Sequence, residues 1–351
     1  MLEFTHFPLP LNLALFTVAA LAVLIAGARL SRYADAISSM TGFGHAAIGM
    51  LLLAGVTSLP EIGVTATASL AGNAPLAINN LFGSIAMQVA LLAGVDFIIG
   101  CRALTAVVPE PTVMLQGILC VLLLAIAASG MVVGDVAVLG VGLWSWGCLF
   151  SYVGCVWILS REEGRKPWLA ARRGKPDRAL MRELEQYQED GAHEPGLRPV
   201  LYKTFAAAAV ILFAGFVVAR SGEAIAQQTG LGASFVGFVL VAISTSLPEA
   251  STALAAARHG HFVMAMSDIL GTNLINVGLV FLVDVLSPAG PPLAETDRFA
   301  TFGALLAIVL TALFLAGLAE RRDRSVLRFG YDSIAVLITY FGGLVLLYAL
   351  R

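Results

Sequence analysis

Ten runs of about 20 mostly apolar residues, the length that crosses the hydrocarbon core of a bilayer, recur along this chain of 351 residues. They fall near 11–30, 42–71, 75–100, 112–131, 135–159, 200–226, 232–258, 262–286, 299–318 and 330–350. Inside a bilayer no water is available to backbone groups, so each run is expected to be a helix closing its own hydrogen bonds. Composition agrees: 58% of residues are hydrophobic and 13% charged, where a soluble domain carries about 25% charge. The chain reads as an all-α integral membrane protein whose first partner is the lipid bilayer. Its net charge of −2 and lack of a basic patch give no case for nucleic acid. Cys101, Cys120, Cys148 and Cys155 lie in or beside apolar runs without metal-type spacing, so they read as core or lipid-facing residues. The N-terminus carries no basic n-region, so the first run is expected to be retained as a span.

A polar stretch, 160–199, divides the ten runs five and five. The expected organisation is a first five-helix repeat over 1–159, a connecting loop over 160–199 and a second five-helix repeat over 200–351. The loop mixes charges (Arg161-Glu162-Glu163, Arg172-Arg173, Glu183, Glu185) and predicts a short surface helix near 177–190. It is too short for a β-sandwich regulatory domain of about 100 residues and reads as a solvated connector. Positive charges set the orientation. With the N-terminus outside, 18 of the 21 Lys and Arg fall in inner loops, and only Arg220, Arg298 and Arg351 fall outside. The expectation is a multi-pass protein of the cell (inner or plasma) membrane, both termini outside, the 160–199 loop cytoplasmic. Five spans per half make the second half enter inverted, an architecture of many secondary transporters.

The halves align without a gap at an offset of 188 over 44–96 and 232–284. The pentapeptide Thr57-Ser58-Leu59-Pro60-Glu61 recurs intact as Thr245-Ser246-Leu247-Pro248-Glu249, and Gly83/Gly271 and Asp96/Asp284 are among the other identities. Each proline removes a backbone donor, freeing the carbonyls of Val56 and Ser244, so helices 2 and 7 are expected to be broken. A glutamate at mid-span is costly and marks a functional site by default. Carboxylates, hydroxyls and freed carbonyls are hard oxygen donors that suit Ca²⁺ or Na⁺. The plainer alternative is a kink with a snorkelling carboxylate, but both glutamates sit too deep for that.

The next helix of each repeat carries a polar stripe at spacing four: Asn80, Ser84 and Gln88, then Asp268, Thr272 and Asn276. That spacing places each set on one helical face. These side chains serve either the ion site or interhelical hydrogen bonds, the alternatives being most even for Asn80 and Asp268. Asp96 and Asp284 lie near the interfaces, where a capping or headgroup role fits better than ion binding.

The doubled T-S-L-P-E, each copy followed by a glycine-hydroxyl motif, resembles the α-repeats of the cation/Ca²⁺ exchanger superfamily, which includes the Na⁺/Ca²⁺ exchangers. That resemblance implies that the Glu61 and Glu249 carboxylates are the central Ca²⁺ ligands, joined by the backbone carbonyls of Thr57 and Thr245. It also implies flanking Na⁺ sites from the carbonyls of Ala54 and Ala242 and the hydroxyls of Ser58, Ser84, Ser246 and Thr272. The first and sixth spans would slide against the remaining bundle. This chain departs from the family pattern G-N-x-x-G-S-N-x-x-N/D: Gln88 stands for Asn, Asn276 for the Asp common in Na⁺/Ca²⁺ exchangers, and Asp268 for Asn. Either the site keeps its charge count with one carboxylate moved by a helical turn, about 6 Å, or it has two carboxylates only.

The function expected is a secondary-active cation antiporter, most simply Na⁺/Ca²⁺ exchange by alternating access, with no cofactor beyond the transported ions. An H⁺-coupled antiporter of Ca²⁺ or another divalent cation is the alternative, motivated by the amides Gln88 and Asn276. A carboxylate-lined channel would use the same path and differ in turnover and counterflow. An intramembrane enzyme is disfavoured because no G-x-S-x-G with a histidine partner and no H-E-x-x-H appears. The histidines (His6, His45, His193, His259, His261) are mostly terminal or in loops, and oligomeric state leaves no mark on the sequence.

Overall fold

The computed structural model describes residues 4–41, 55, 57–99, 111–162, 197–258, 262–288, 290–320, 325–326 and 329–351. The helices, in chain order, are α1 (Leu9–Thr41), α2 (Leu59–Leu70), α3 (Ala74–Ile99), α4 (Pro111–Val133), α5 (Leu143–Glu162) and α6 (Leu197–Thr229). They continue with α7 (Ala233–Thr245), α8 (Leu247–Arg258), α9 (Phe262–Gly278), α10 (Val280–Leu286), α11 (Arg298–Glu320) and α12 (Tyr331–Leu350). Among the described residues eight helical segments are long and apolar enough to cross a membrane, or nine if α7 and α8 form one bent span. The run at 232–258 is that pair, bent by 47° at Ser246. Of the run at 42–71, α2 and a few preceding residues are described, and the helix foreseen at 177–190 lies outside the described residues. The run at 135–159 begins its helix only at Leu143, because Ala137–Val138 (β1) and Val141–Gly142 (β2) pair as a hairpin first.

Burial orders the helices around α3. Its spanning window is 89% buried, against 22% for α1 and α5 and 28% for α6 and α12, so α3 is the axis and those four helices lie toward the outside. α1 and α6 pack along each other, α2 packs on α3 and α6, and α8 packs on α1, α3 and α9. Phe205, Phe213, Phe341 and Val345 point outward. An apolar exterior is what a lipid-facing helix requires and what a soluble protein avoids.

Small residues set how close these helices come. A side chain on Gly83 of α3 would run into the carbonyl oxygen of Phe238, and one on Gly237 would meet the Leu76 carbonyl oxygen at 2.6 Å. These reciprocal contacts seat α7 on α3 backbone to backbone, as small residues do in membranes. Between them Gly237–Val241 widens into a π turn, a local irregularity of the kind found at functional sites.

The internal repeat extends beyond the segments that carry the pentapeptides. Hairpin β1–β2 pairs Ala137 with Gly142 and Val138 with Val141. Ser325–Val326 (β3) and Phe329–Gly330 (β4) pair Ser325 with Gly330 and Val326 with Phe329. Each pair is the other displaced by 188 positions, and Asp135/Asp323, Gly142/Gly330 and Ser145/Ser333 are identical at that offset. The helix after the first hairpin is capped from afar: Asp284 Oδ2 accepts the Gly142 N–H at 3.0 Å and the Ser145 hydroxyl at 2.5 Å. Asp284 therefore does serve as a cap, while the Asp96 side chain lies outside the described residues.

Candidate functional site

Pro60 and Pro248 begin α2 and α8 in the first turn, where a missing N–H costs nothing. The following residues, Glu61 and Glu249, are thereby held in the first turns of two helices, both 0% exposed. Ser246, three residues before Glu249, reaches the Glu61 carboxylate at 3.5 Å, so the fold brings the two glutamates into one neighbourhood.

Their partners cross between the halves. Ser246, from the second pentapeptide, donates to Glu61 Oε1 at 3.5 Å, and Thr57, from the first, faces Glu249. Glu61 Oε2 and both oxygens of Glu249 nevertheless lack a hydrogen-bond partner among the described residues. Buried carboxylate oxygens left open in this way are costly and are available to a cation.

The first-half stripe reaches the same place. Thr245 donates to Asn80 Oδ1 at 3.3 Å, and its hydroxyl shares a 3.3 Å contact with Ser84. Gln88 donates to the Ser246 hydroxyl at 3.1 Å, leaving its Oε1 unpartnered. Asn80, Ser84 and Gln88 are all fully buried. In the second half Thr272 and Asn276 are equally buried, and neither the hydroxyl nor the amide has a partner among the described residues.

Other expected members stand apart. Asp268 is half-buried and accepts the Thr252 hydroxyl at 2.9 Å. It acts on Glu249 electrostatically but precedes Asn276 by eight residues, so the carboxylate is displaced by two turns, about 12 Å, rather than one. The Ala242 carbonyl already accepts the Ser246 N–H at 3.1 Å and the Thr245 hydroxyl at 3.3 Å, so in this conformation it is engaged within its own helix. Ser58, within the first pentapeptide, is fully buried and its carbonyl accepts the Ile62 N–H at 3.0 Å. Ala54, Val56, His45, His193, His259 and His261 lie outside the described residues, and Cys120, Cys148 and Cys155 are buried free thiols.

Sequence reasoning passed over Thr252, the partner of Asp268, and three buried groups on the site helices. Asn273 has neither amide atom bonded, and the hydroxyls of Thr65 and Ser69 are likewise unpartnered. For Thr65 and Ser69 the signal was available as the spacing of four from Glu61. Among the described residues no three His, Cys, Asp or Glu side chains cluster as a resident metal centre would need. The site instead offers two carboxylates among hydroxyls and amides, an all-oxygen set for a hard cation that must also leave.

Comparison with known proteins places this constellation. The family model for the sodium/calcium exchanger protein matches residues 11–161 and 200–349. The chain is 28% identical over 333 residues to the inner membrane protein YrbG of Escherichia coli strain K12, covering 95% of this chain and 94% of that one. Its structure is similar to that of the H⁺/Ca²⁺ exchanger CAX, with a TM-score of 0.67 at 14% identity over 98% of this chain and 85% of that one. It is also similar to that of the sodium-calcium exchanger NCX_Mj, with a TM-score of 0.61 at 17% identity over 96% and 99%. The two matched segments each contain one copy of T-S-L-P-E, and the chain belongs to the sodium/calcium exchanger protein family.

Proposed function

We propose that the chain is a secondary-active antiporter that exchanges Na⁺ for Ca²⁺ by alternating access, with the ions bound between Glu61 and Glu249. The observation that carries this reading is the crossed pair: two fully buried carboxylates, one per half, each faced by hydroxyls of the other half and each with open oxygens. Two glutamates neutralise one divalent cation or are balanced by monovalent ions, and competition for the same oxygens couples the fluxes. The hydroxyls of Ser58, Ser84, Ser246 and Thr272, the carbonyls of Thr57, Thr245, Ala54 and Ala242, and Asn80, Gln88, Asn276 and Asp268 complete the proposed set.

The architecture that goes with this reading is ten spans as two inverted five-helix repeats, 1–159 and 200–351, with broken helices 2 and 7. The 47° bend between α7 and α8 and the repeated hairpin register support it. Both termini are placed outside and the 160–199 connector in the cytoplasm, on the distribution of Lys and Arg.

The test is uptake of radiolabelled Ca²⁺ into Na⁺-loaded proteoliposomes. Uptake that requires the outward Na⁺ gradient is expected, and Glu61→Gln should abolish it; full uptake by that variant would overturn the assignment. A second reading, H⁺ as the driving ion, is favoured by the Gln88 amide, which occupies the Ser246 hydroxyl where a Na⁺ ligand is proposed. Uptake driven by an imposed pH gradient without Na⁺ would select it.

A further inference from the structure

Two buried hydroxyls on α2 belong neither to the glutamate pair nor to the polar stripes. Thr65 and Ser69 are both 0% exposed, and neither hydroxyl has a partner among the described residues. A Ser or Thr inside a helix can return its proton to a carbonyl one turn back, as Thr67 does to Gly63 and Thr311 to Ala307, both at 2.8 Å. Thr65 and Ser69 do not. At membrane depth an unpartnered polar group is tolerated only where water or a passing ion meets it.

Their placement gives these groups a direction. Glu61, Thr65 and Ser69 follow one another at spacing four, on one face of α2, in steps of about 6 Å. Glu61 Oε2 is also unpartnered, so three open oxygens run from the carboxylate to the end of the helix. The file ends beside a cavity of about 120 Å³ whose lining includes Gly72, Asn79, Ser287 and Asp297. The Gly72 N–H donates to the Ser69 backbone carbonyl at 2.9 Å, so a residue of the cavity wall is bonded to the backbone of the residue that carries the last hydroxyl. Asn79 Oδ1 is a further buried, unpartnered oxygen on that wall, and α10 packs along α2.

The other half lacks this file. At the offset of 188, Thr65 and Ser69 become Ala253 and Ala257, both buried. Alanine satisfies the packing there, so close packing alone does not call for the two hydroxyls. Their presence on α2 only makes the file a property of one side of the membrane, the side of the 71–73 turn.

We propose that Thr65 and Ser69 line a hydrated track along which a partly hydrated metal cation passes between the Asn79–Asp297 cavity and Glu61. Neutral hydroxyls replace lost hydration water without holding the ion as a carboxylate would, which suits passage rather than storage. The traffic assigned to the track rests on the antiporter reading above; its being wet does not.

Two measurements test this. Thr65→Cys and Ser69→Cys, made one at a time, are exposed to a small cationic methanethiosulfonate in proteoliposomes, with the wild-type chain and its native cysteines as background. Modification of both, from one side of the membrane, is expected; no modification of either in Na⁺, Ca²⁺ or neither overturns the track. Thr65→Val with Ser69→Ala should slow Ca²⁺ uptake several-fold while equilibrium Ca²⁺ binding to the purified protein stays unchanged, and Thr65→Ser should keep the wild-type rate. An unchanged rate in the double variant, beside a dead Glu61→Gln, overturns the proposal. Absence of any gradient-driven flux in the wild-type chain would instead refute the antiporter reading, and thiol modification alone would then decide the track.

Discussion

Replacing Glu249 by Gln removes one charge from the site while keeping the side chain's shape. Glu249 is the sharper choice of the two glutamates because neither of its oxygens has a protein partner, whereas Glu61 has Ser246. A unit charge pair about 4 Å apart at an effective dielectric constant near 20 interacts by about 4 kcal/mol. A divalent cation loses roughly twice that when one carboxylate is neutralised, and a monovalent cation loses it once. The difference, about 4 kcal/mol, corresponds to about a thousandfold shift in relative affinity toward the monovalent ion. Ligand rearrangement around the ion will absorb part of it, so the sign and a shift well above tenfold are the expectation. The measurement is a pair of binding isotherms, Ca²⁺ and Na⁺, on purified wild-type and Glu249→Gln protein of matched elution volume and circular dichroism. Without added cations the variant should also melt higher, since it no longer buries an unpartnered carboxylate beside another. Parallel weakening of both ions, or Ca²⁺ affinity within tenfold of wild type, would refute the view that the paired charges select the divalent ion.

Two further outcomes concern the scaffold. A Cβ on Gly27 would lie 2.5 Å from Pro248 Cγ, while one on Gly215 would lie 3.3 Å from the Gly63 carbonyl carbon; Gly27→Ala should therefore cost about 1–3 kcal/mol by overpacking and Gly215→Ala distinctly less. Equal melting temperatures for the two variants in detergent would contradict that ranking. Asp284→Ala loses the hydrogen bonds to Gly142 and Ser145, worth about 1 kcal/mol each. It should lower the melting temperature more than Asp284→Asn, which keeps an acceptor, and an asparagine variant as damaged as the alanine one would show that capping is not what the residue does.

What the sequence made legible was whatever has a fixed period or a high cost. Apolar length marked the spans, and the two Pro-Glu pairs marked the site because proline and glutamate are both expensive at mid-span. The polar stripes were readable from spacing four, and for the first half the structure brings Asn80, Ser84 and Gln88 to the pentapeptide of the other half. Hidden from the sequence was anything decided by partners distant in the chain. Asp268 was counted with the polar stripe, but its carboxylate accepts the hydroxyl of Thr252 on the neighbouring helix α8. The carbonyl of Ala242, which the family resemblance implied as a Na⁺ ligand, accepts the Ser246 N–H within its own helix in this conformation. The 137–142 hairpin was lost inside an apolar run because its strands are only two residues long.

The crossing of the halves ties scaffold to site. Gly27 and Gly215 are equivalent at the offset of 188, as are Pro60 and Pro248. In the fold Gly27 of the first half packs on Pro248 of the second, and Gly215 of the second packs on Gly63 of the first. The same exchange governs the chemistry, where Ser246 faces Glu61 and Thr57 faces Glu249. Each glutamate therefore depends on the opposite half both for the hydroxyl that faces it and for the outer helix against its own helix. A shift of α1 and α6 against the bundle cannot leave either carboxylate untouched, because Pro248 and Gly63 adjoin Glu249 and Glu61 within two residues. Two halves that merely stood side by side could bind an ion in one conformation. In the antiporter proposed above, halves that hold each other's proposed ligands would convert a movement of α1 and α6 into a change at both carboxylates at once, which is the coupling that exchange of one cation for another requires.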